Sequence, residues 1–134
     1  MLSEQCLHEL RASWLPNISD AGLDRMIDLL EKNSPLLIHG SFTRALPMGC
    51  LATHVAWNHP ATAHLTVDAG ICWLHRVANL NPATSHVIRE WDRCGSIDYE
   101  IRSQLLEEFK QHRRTRQQPQ TVERVNRVME LAEA

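Results

Sequence analysis

Residues 45–57 read Ala-Leu-Pro-Met-Gly-Cys-Leu-Ala-Thr-His-Val-Ala-Trp: no side chain is charged, and only Thr53 and His54 interrupt apolar or small residues. A helix that is apolar nearly all round is a buried one, and Pro47 stands where a first helical turn accepts proline. The stretch therefore predicts a central helix at about 47–57 that other elements cover. Asn58-His59-Pro60 ends it, because the residue before a proline is biased away from helical geometry.

The flanks read as further helices. Downstream, Thr66 caps a helix to about Asn79, with Asp68 in its first turn. Asn81-Pro82 opens another that runs to Arg93 and stops at Gly95. Ser96 caps a long one to about His112, with Ile97, Ile101, Leu105, Leu106 and Phe109 inward. Upstream, Ser3 to Leu15 carries Leu7, Leu10 and Trp14 at helical spacing, and Ser19 to Lys32 carries Leu23, Met26, Ile27 and Leu30, with Asp24, Asp28 and Glu31 facing water. Leu36 to Gly40 fits a short strand or one helical turn. The turn is the better reading, because no second strand offers itself. The expected fold is all-α, a compact bundle of six or seven helices, with Leu7, Leu10, Trp14, Leu23, Leu30, Met48, Leu51, Val55, Ile71, Leu74, Val87, Trp91, Ile101, Leu105 and Phe109 in its core.

Three segments are expected: a helical core domain at 1–112, a polar hinge at 113–120, and a C-terminal helix at 121–134. Val122, Val125, Val128, Met129 and Ala132 give the last helix a narrow apolar stripe. A narrow stripe suits a two-helix seam, so this helix docks on the core or on a partner chain, which includes self-association. Pro60-Ala-Thr-Ala-His64 also echoes Pro82-Ala-Thr-Ser-His86, too briefly to define a repeat.

Composition narrows the class. With 43% hydrophobic and 22% charged residues in 134, the chain reads as one globular domain. A net charge of −2 gives no electrostatic case for nucleic acid or a membrane surface, and no apolar run approaches the roughly 18 residues of a membrane span. The first residues, MLSEQCLHEL, have no signal-peptide core. Cys6, Cys50, Cys72 and Cys94 lie far apart, as reduced thiols in a cytoplasmic protein do.

One constellation suggests chemistry. On the 66–79 helix, Asp68, Cys72, His75 and Asn79 fall within roughly 60° of arc at the edge of the apolar face. On the central helix Cys50, His54 and Trp57 share a side. If the two sides meet, Cys50, His54, Cys72 and His75 can form a tetrahedral nitrogen–sulfur site for zinc or another transition metal. Asp68 would then serve as a fifth candidate or as an orienting carboxylate, with His59 and His64 in reserve. The competing reading makes Cys50 a small hydrophobe, His54 a core histidine on a backbone carbonyl, and Asp68 a helix-terminus residue. Ser41, one of His54, His59 or His64, and Asp68 could also supply a nucleophile, a base and an orienter, and Cys72 beside His75 an activated thiol. The pair His86 and Glu90 reads as solvated. The run Lys110, His112, Arg113, Arg114, Arg116 is a phosphate or acidic-partner patch, or simply the basic end of a helix. The second reading is preferred, because no aromatics interleave the run.

Two function classes follow: a small cytosolic interaction or regulatory module, with a protein partner or a second copy met through the C-terminal helix, and a metal-binding protein of the zinc type, a hydrolase being one form of it.

Overall fold

The computed structural model describes residues 1–133, and side chains are described for residues 1–117. Six α-helices and no β-strand occur among the described residues, which is the all-α architecture expected. They are α1 (Glu4–Glu9), α2 (Asp20–Glu31), α3 (Leu51–Trp57), α4 (Ala69–Arg76), α5 (His86–Cys94) and α6 (Tyr99–Glu133). None of them is long and apolar enough to cross a membrane.

The central position of α3 is visible residue by residue: Leu51 to Ala56 are all buried, and Trp57 is half-buried. Helix α4 crosses it closely through Ala69, Gly70, Trp73 and Leu74. A Cβ at Gly70 would lie 2.6 Å from Thr53 Oγ1 and 2.9 Å from Thr53 N, so the crossing distance depends on glycine. Trp14, at the end of the first helical segment, meets Trp73 with ring centroids 5.2 Å apart.

The central helix begins at Leu51 and not at Pro47. Residues 42–50 form an irregular loop with a turn between Ala45 and Met48, and they supply the pairing partner that Leu36 to Gly40 lacked on paper. Gly49 bridges to Leu37 on one side and Thr43 on the other, with Ile38 N–H on Gly49 O at 3.0 Å and Gly49 N–H on Leu36 O at 2.9 Å. The helical turn expected at Leu36–Gly40 is therefore a short extended segment. Apolar composition misled here because a buried extended segment and a buried helix look alike over a few residues.

Leu7 is half-buried at the edge of the core, and two further core expectations change for the same kind of reason. Helix α4 starts at Ala69, so its inward face is Ala69, Gly70, Trp73 and Leu74, and Ile71 is 40% exposed beside Val67 at 58%. Met48 lies in the 42–50 segment and is only half-buried. The echoed Pro-Ala-Thr motifs fold alike. His59 Nδ1 accepts from Ala61 N–H at 3.1 Å and Asn81 Oδ1 from Ala83 N–H at 2.9 Å, and both turns close with an i+3 and an i+4 backbone bond. The likeness is one of turn chemistry.

Helix α6 continues through 113–120, where a polar hinge was expected. Arginine and glutamine are good helix formers, so polarity alone marked no break. The basic run does not sit at a helix end either. Lys110 pairs with Glu31 (2.8 Å), Arg113 with Asp24 (2.9 Å) and Arg116 with Asp20 (2.9 Å), so these acids of α2 face α6. Arg116 also donates to the Leu15 and Ile18 carbonyls. Such exposed pairs contribute roughly 0–1 kcal/mol each, and their effect is to fix the register of α6 on α2. The C-terminal stripe from Val122 to Ala132, and the docking expected of it, lie outside the described side chains.

Candidate functional site

The surface with open chemistry is a cleft along α5, and it is built from a carboxylate outward. Glu9 lies on the apolar side of α1 and is 8% exposed. Its oxygens accept from Ser85 Oγ (2.6 Å), His86 N–H (2.9 Å), Val87 N–H (3.1 Å) and Trp14 Nε1–H (3.0 Å). A buried carboxylate thus satisfies the first free amides of α5 and complements the positive end of its dipole. The chain from Leu10 to Trp14 widens into a π-helical turn. The wider turn brings a residue five positions on beneath Glu9, as a regular α-helix does not. Ser85 adds its own cap to Ile88 N–H at 3.3 Å.

The far end of α5 is clasped by the 38–40 segment. Trp91 Nε1–H donates to Ile38 O at 2.7 Å, Gly40 N–H donates to Asp92 Oδ1 at 3.2 Å, and His39 Nδ1 pairs with Ser96 Oγ. Burial pushes the Asp92 carboxyl up, against the Gly40 bond and the nearby His39. Glu90 is held at the other side of the cleft by both the N–H and the hydroxyl of Ser3. Partial burial works to raise its carboxyl, yet the Ser3 bonds, with Cys6 and His86 behind them, hold it below the usual range. The solvated His86–Glu90 pair expected from spacing is thus replaced by a bond to the start of α1.

Val87, Ile88 and Trp91 are buried, so the opposite side of α5 points outward. His86, Arg89 and Arg93 line a cleft of about 720 Å³ with Phe42, Pro82 and Ala83. Among the described residues, the side chains of Arg89 and Arg93 have no hydrogen-bond or ion-pair partner, while both carboxylates of the cleft are engaged by neutral donors. A second cleft of about 650 Å³, between α2 and α6, contrasts with it: Asp20 and Asp24 there already pair with Arg116 and Arg113.

The donor set expected at Cys50, His54, Cys72, His75 and Asp68 is not assembled. Cys50, the residue that precedes α3, and His54 within it are buried, Cys72 is half-buried, and Asp68 and His75 are exposed. No three His, Cys, Asp or Glu side chains among the described residues are placed to hold a metal ion. The sides of α3 and α4 that meet carry Thr53 and Gly70, which turns Cys72 and His75 away. Burial pushes the Cys50 thiol up to about 11, and burial with the Glu90 charge pushes Cys6 to about 12, so both are inert at neutral pH. No hydrogen bond joins Cys72 to His75, or Ser41 to a histidine and Asp68, among the described residues. No family model, curated protein or solved structure matches the chain.

His54 is instead a core histidine, its Nε2–H donating to Leu36 O at 2.7 Å. Burial, with the Arg25 charge behind it, pushes its pKa below the ordinary 6.5, and the Leu36 bond opposes this. The unfolded chain takes up that proton at a higher pH than the folded protein does. Stability is therefore unaffected above about 6.5 and falls as pH drops below it. Urea midpoints are expected to fall between about pH 7 and 5.5, and His54→Gln, which keeps a donor for Leu36 O, is expected to lose part of that slope. An identical pH dependence in the two proteins would contradict this.

Proposed function

We propose that this chain is a small interaction module that docks a protein partner in the cleft along α5. The observation that carries the reading is the pair Arg89 and Arg93. They stand without a partner over a cleft with apolar lining, in a domain whose α2–α6 face pairs its cations with acids. Arginine and aromatic residues are both enriched at protein interfaces. Four free cysteines, two of them buried, suit a reducing, cytosolic setting. The apolar stripe of residues 122–132 supports a second contact of the same kind, with another chain or a second copy.

A photo-cross-linking residue at Ala83, inside the cleft, tests this in cells. A discrete adduct is expected there, absent when the same residue replaces Ala21 on α2, and absent when Arg89 and Arg93 are both changed to glutamate. Identical adducts from both positions, or none from Ala83, would contradict the reading.

A further inference from the structure

The reading of the cleft as a docking site can be taken one step further, to the chemistry of its occupant. We infer that the cleft binds an acidic peptide segment in extended form, with carboxylates at alternate positions and apolar residues between them. This rests on the proposal that α5 lines an interaction surface.

Three observations carry it. The first is donor capacity. Arg89 and Arg93 present two planar forks of N–H donors, and neither is used among the described residues. The carboxylates nearest to them are engaged elsewhere, Glu90 by Ser3 and Asp92 by Gly40. What the two forks lack is a bonded acceptor, and a carboxylate is the acceptor that fits a guanidinium. The second is spacing. Residues four apart on a helix are about 6 Å apart along its axis, close to the roughly 6.6 Å between alternate residues of an extended strand. Alternate carboxylates can therefore meet both arginines at once. The third is the remainder of the lining. Phe42 and Pro82 are apolar, and apolar side chains that flank the carboxylates in the same segment are free to cover them.

Glu90 and Asp92 also discriminate. A continuous polyanion such as a nucleic-acid backbone would bring charge against both of them, whereas carboxylates placed only at the arginines would not. The clasp by Trp91, Asp92 and Ser96 holds the segment that leads to Phe42, so the cleft is preformed.

The test is fluorescence anisotropy with four labelled probes: an octapeptide alternating Glu and Leu, its Lys/Leu and Gln/Leu counterparts, and a single-stranded oligo-dT. The acidic octapeptide is expected to bind alone, to weaken as salt rises, and to lose affinity about tenfold or more in the Arg89→Glu, Arg93→Glu double variant. Arg89→Gln with Arg93→Gln, which sets no like charge beside Glu90 and Asp92, should lose the affinity too and melt as the parent does, because both side chains are unpaired in the fold. Arg89→Lys with Arg93→Lys should retain part of the affinity, since charge without the fork remains. Equal binding of the Gln/Leu peptide, weakened by Phe42→Ala, overturns the acidic occupant and leaves the docking cleft standing. Arginine-dependent binding of oligo-dT overturns both in favour of nucleic acid. If no probe binds, the acidic occupant is rejected, and the cross-link at Ala83 decides whether the cleft docks anything.

Discussion

Glu9→Ala is expected to cost about 3–5 kcal/mol, a large share of the stability of a domain this size. The reason is the number of groups left behind. Trp14 Nε1–H, the Ser85 hydroxyl and the N–H groups of His86 and Val87 all lose their acceptor at once, the first two and Val87 in buried bonds and His86 in a partly buried one. Each unsatisfied buried donor costs roughly 1–3 kcal/mol, and the losses are not fully additive. Glu9→Gln keeps one acceptor but turns an N–H₂ toward the α5 amides, so an intermediate loss is expected. Urea denaturation gives the size of the effect. Amide exchange at His86 and Val87 shows whether the loss begins at the start of α5, with faster exchange there than in α2 as the expected pattern. A Glu9→Ala protein within about 1 kcal/mol of the parent would mean that the carboxylate does not hold α5.

Leu51→Ala is expected to cost about 2–5 kcal/mol. Leu51 is fully buried at the first position of α3, and its neighbours Ala52, Val55 and Ala56 are fully buried too. Its surroundings are helices whose positions are fixed by other contacts: α4 by the Gly70–Thr53 crossing, and α2 by its ion pairs with α6. A lost side chain there leaves a cavity that the neighbours have little freedom to fill. The same substitution at Ile71, which is 40% exposed, is expected to cost far less. Equal losses at the two positions, measured by denaturant unfolding, would place the core elsewhere.

The legible and illegible parts of this fold separate along physical lines. Helix α2 could be read almost whole, because Ser19 caps it through Gly22 N–H and its apolar residues recur at helical spacing. Helix α3 could be found from its lack of charge, but not its start, because Gly49 spends its backbone on Leu36 and Ile38, and distant pairing leaves no periodic trace. Ile71 was misplaced because one face of α4 was drawn too wide from an early helix start.

The site was harder to read than the fold. Cysteine and histidine drew attention to α3 and α4, yet burial explains Cys50 and His54. The residues that matter in the cleft are ordinary in sequence, since Arg89 and Arg93 look like any solvated face until their place over the cleft with Phe42 and Pro82 is seen. One local signal did exist for Glu9. It falls on the same side of α1 as Leu2, Cys6 and Leu10, and an acid inside an apolar stripe needs donors to meet it.

The claim that Arg89 and Arg93 stand unpaired over the α5 cleft is tested most directly by NMR of the arginine Nε–H groups in the free protein. Low heteronuclear NOE values are expected for Arg89 and Arg93, against high ones for Arg116, which Leu15 O, Ile18 O and Asp20 hold in place. Ordering of the first two on addition of the Glu/Leu octapeptide would complete the picture. Rigid Arg89 and Arg93 signals in the free protein would mean that their donors are already satisfied within the fold, and the cleft would lose its claim to a partner.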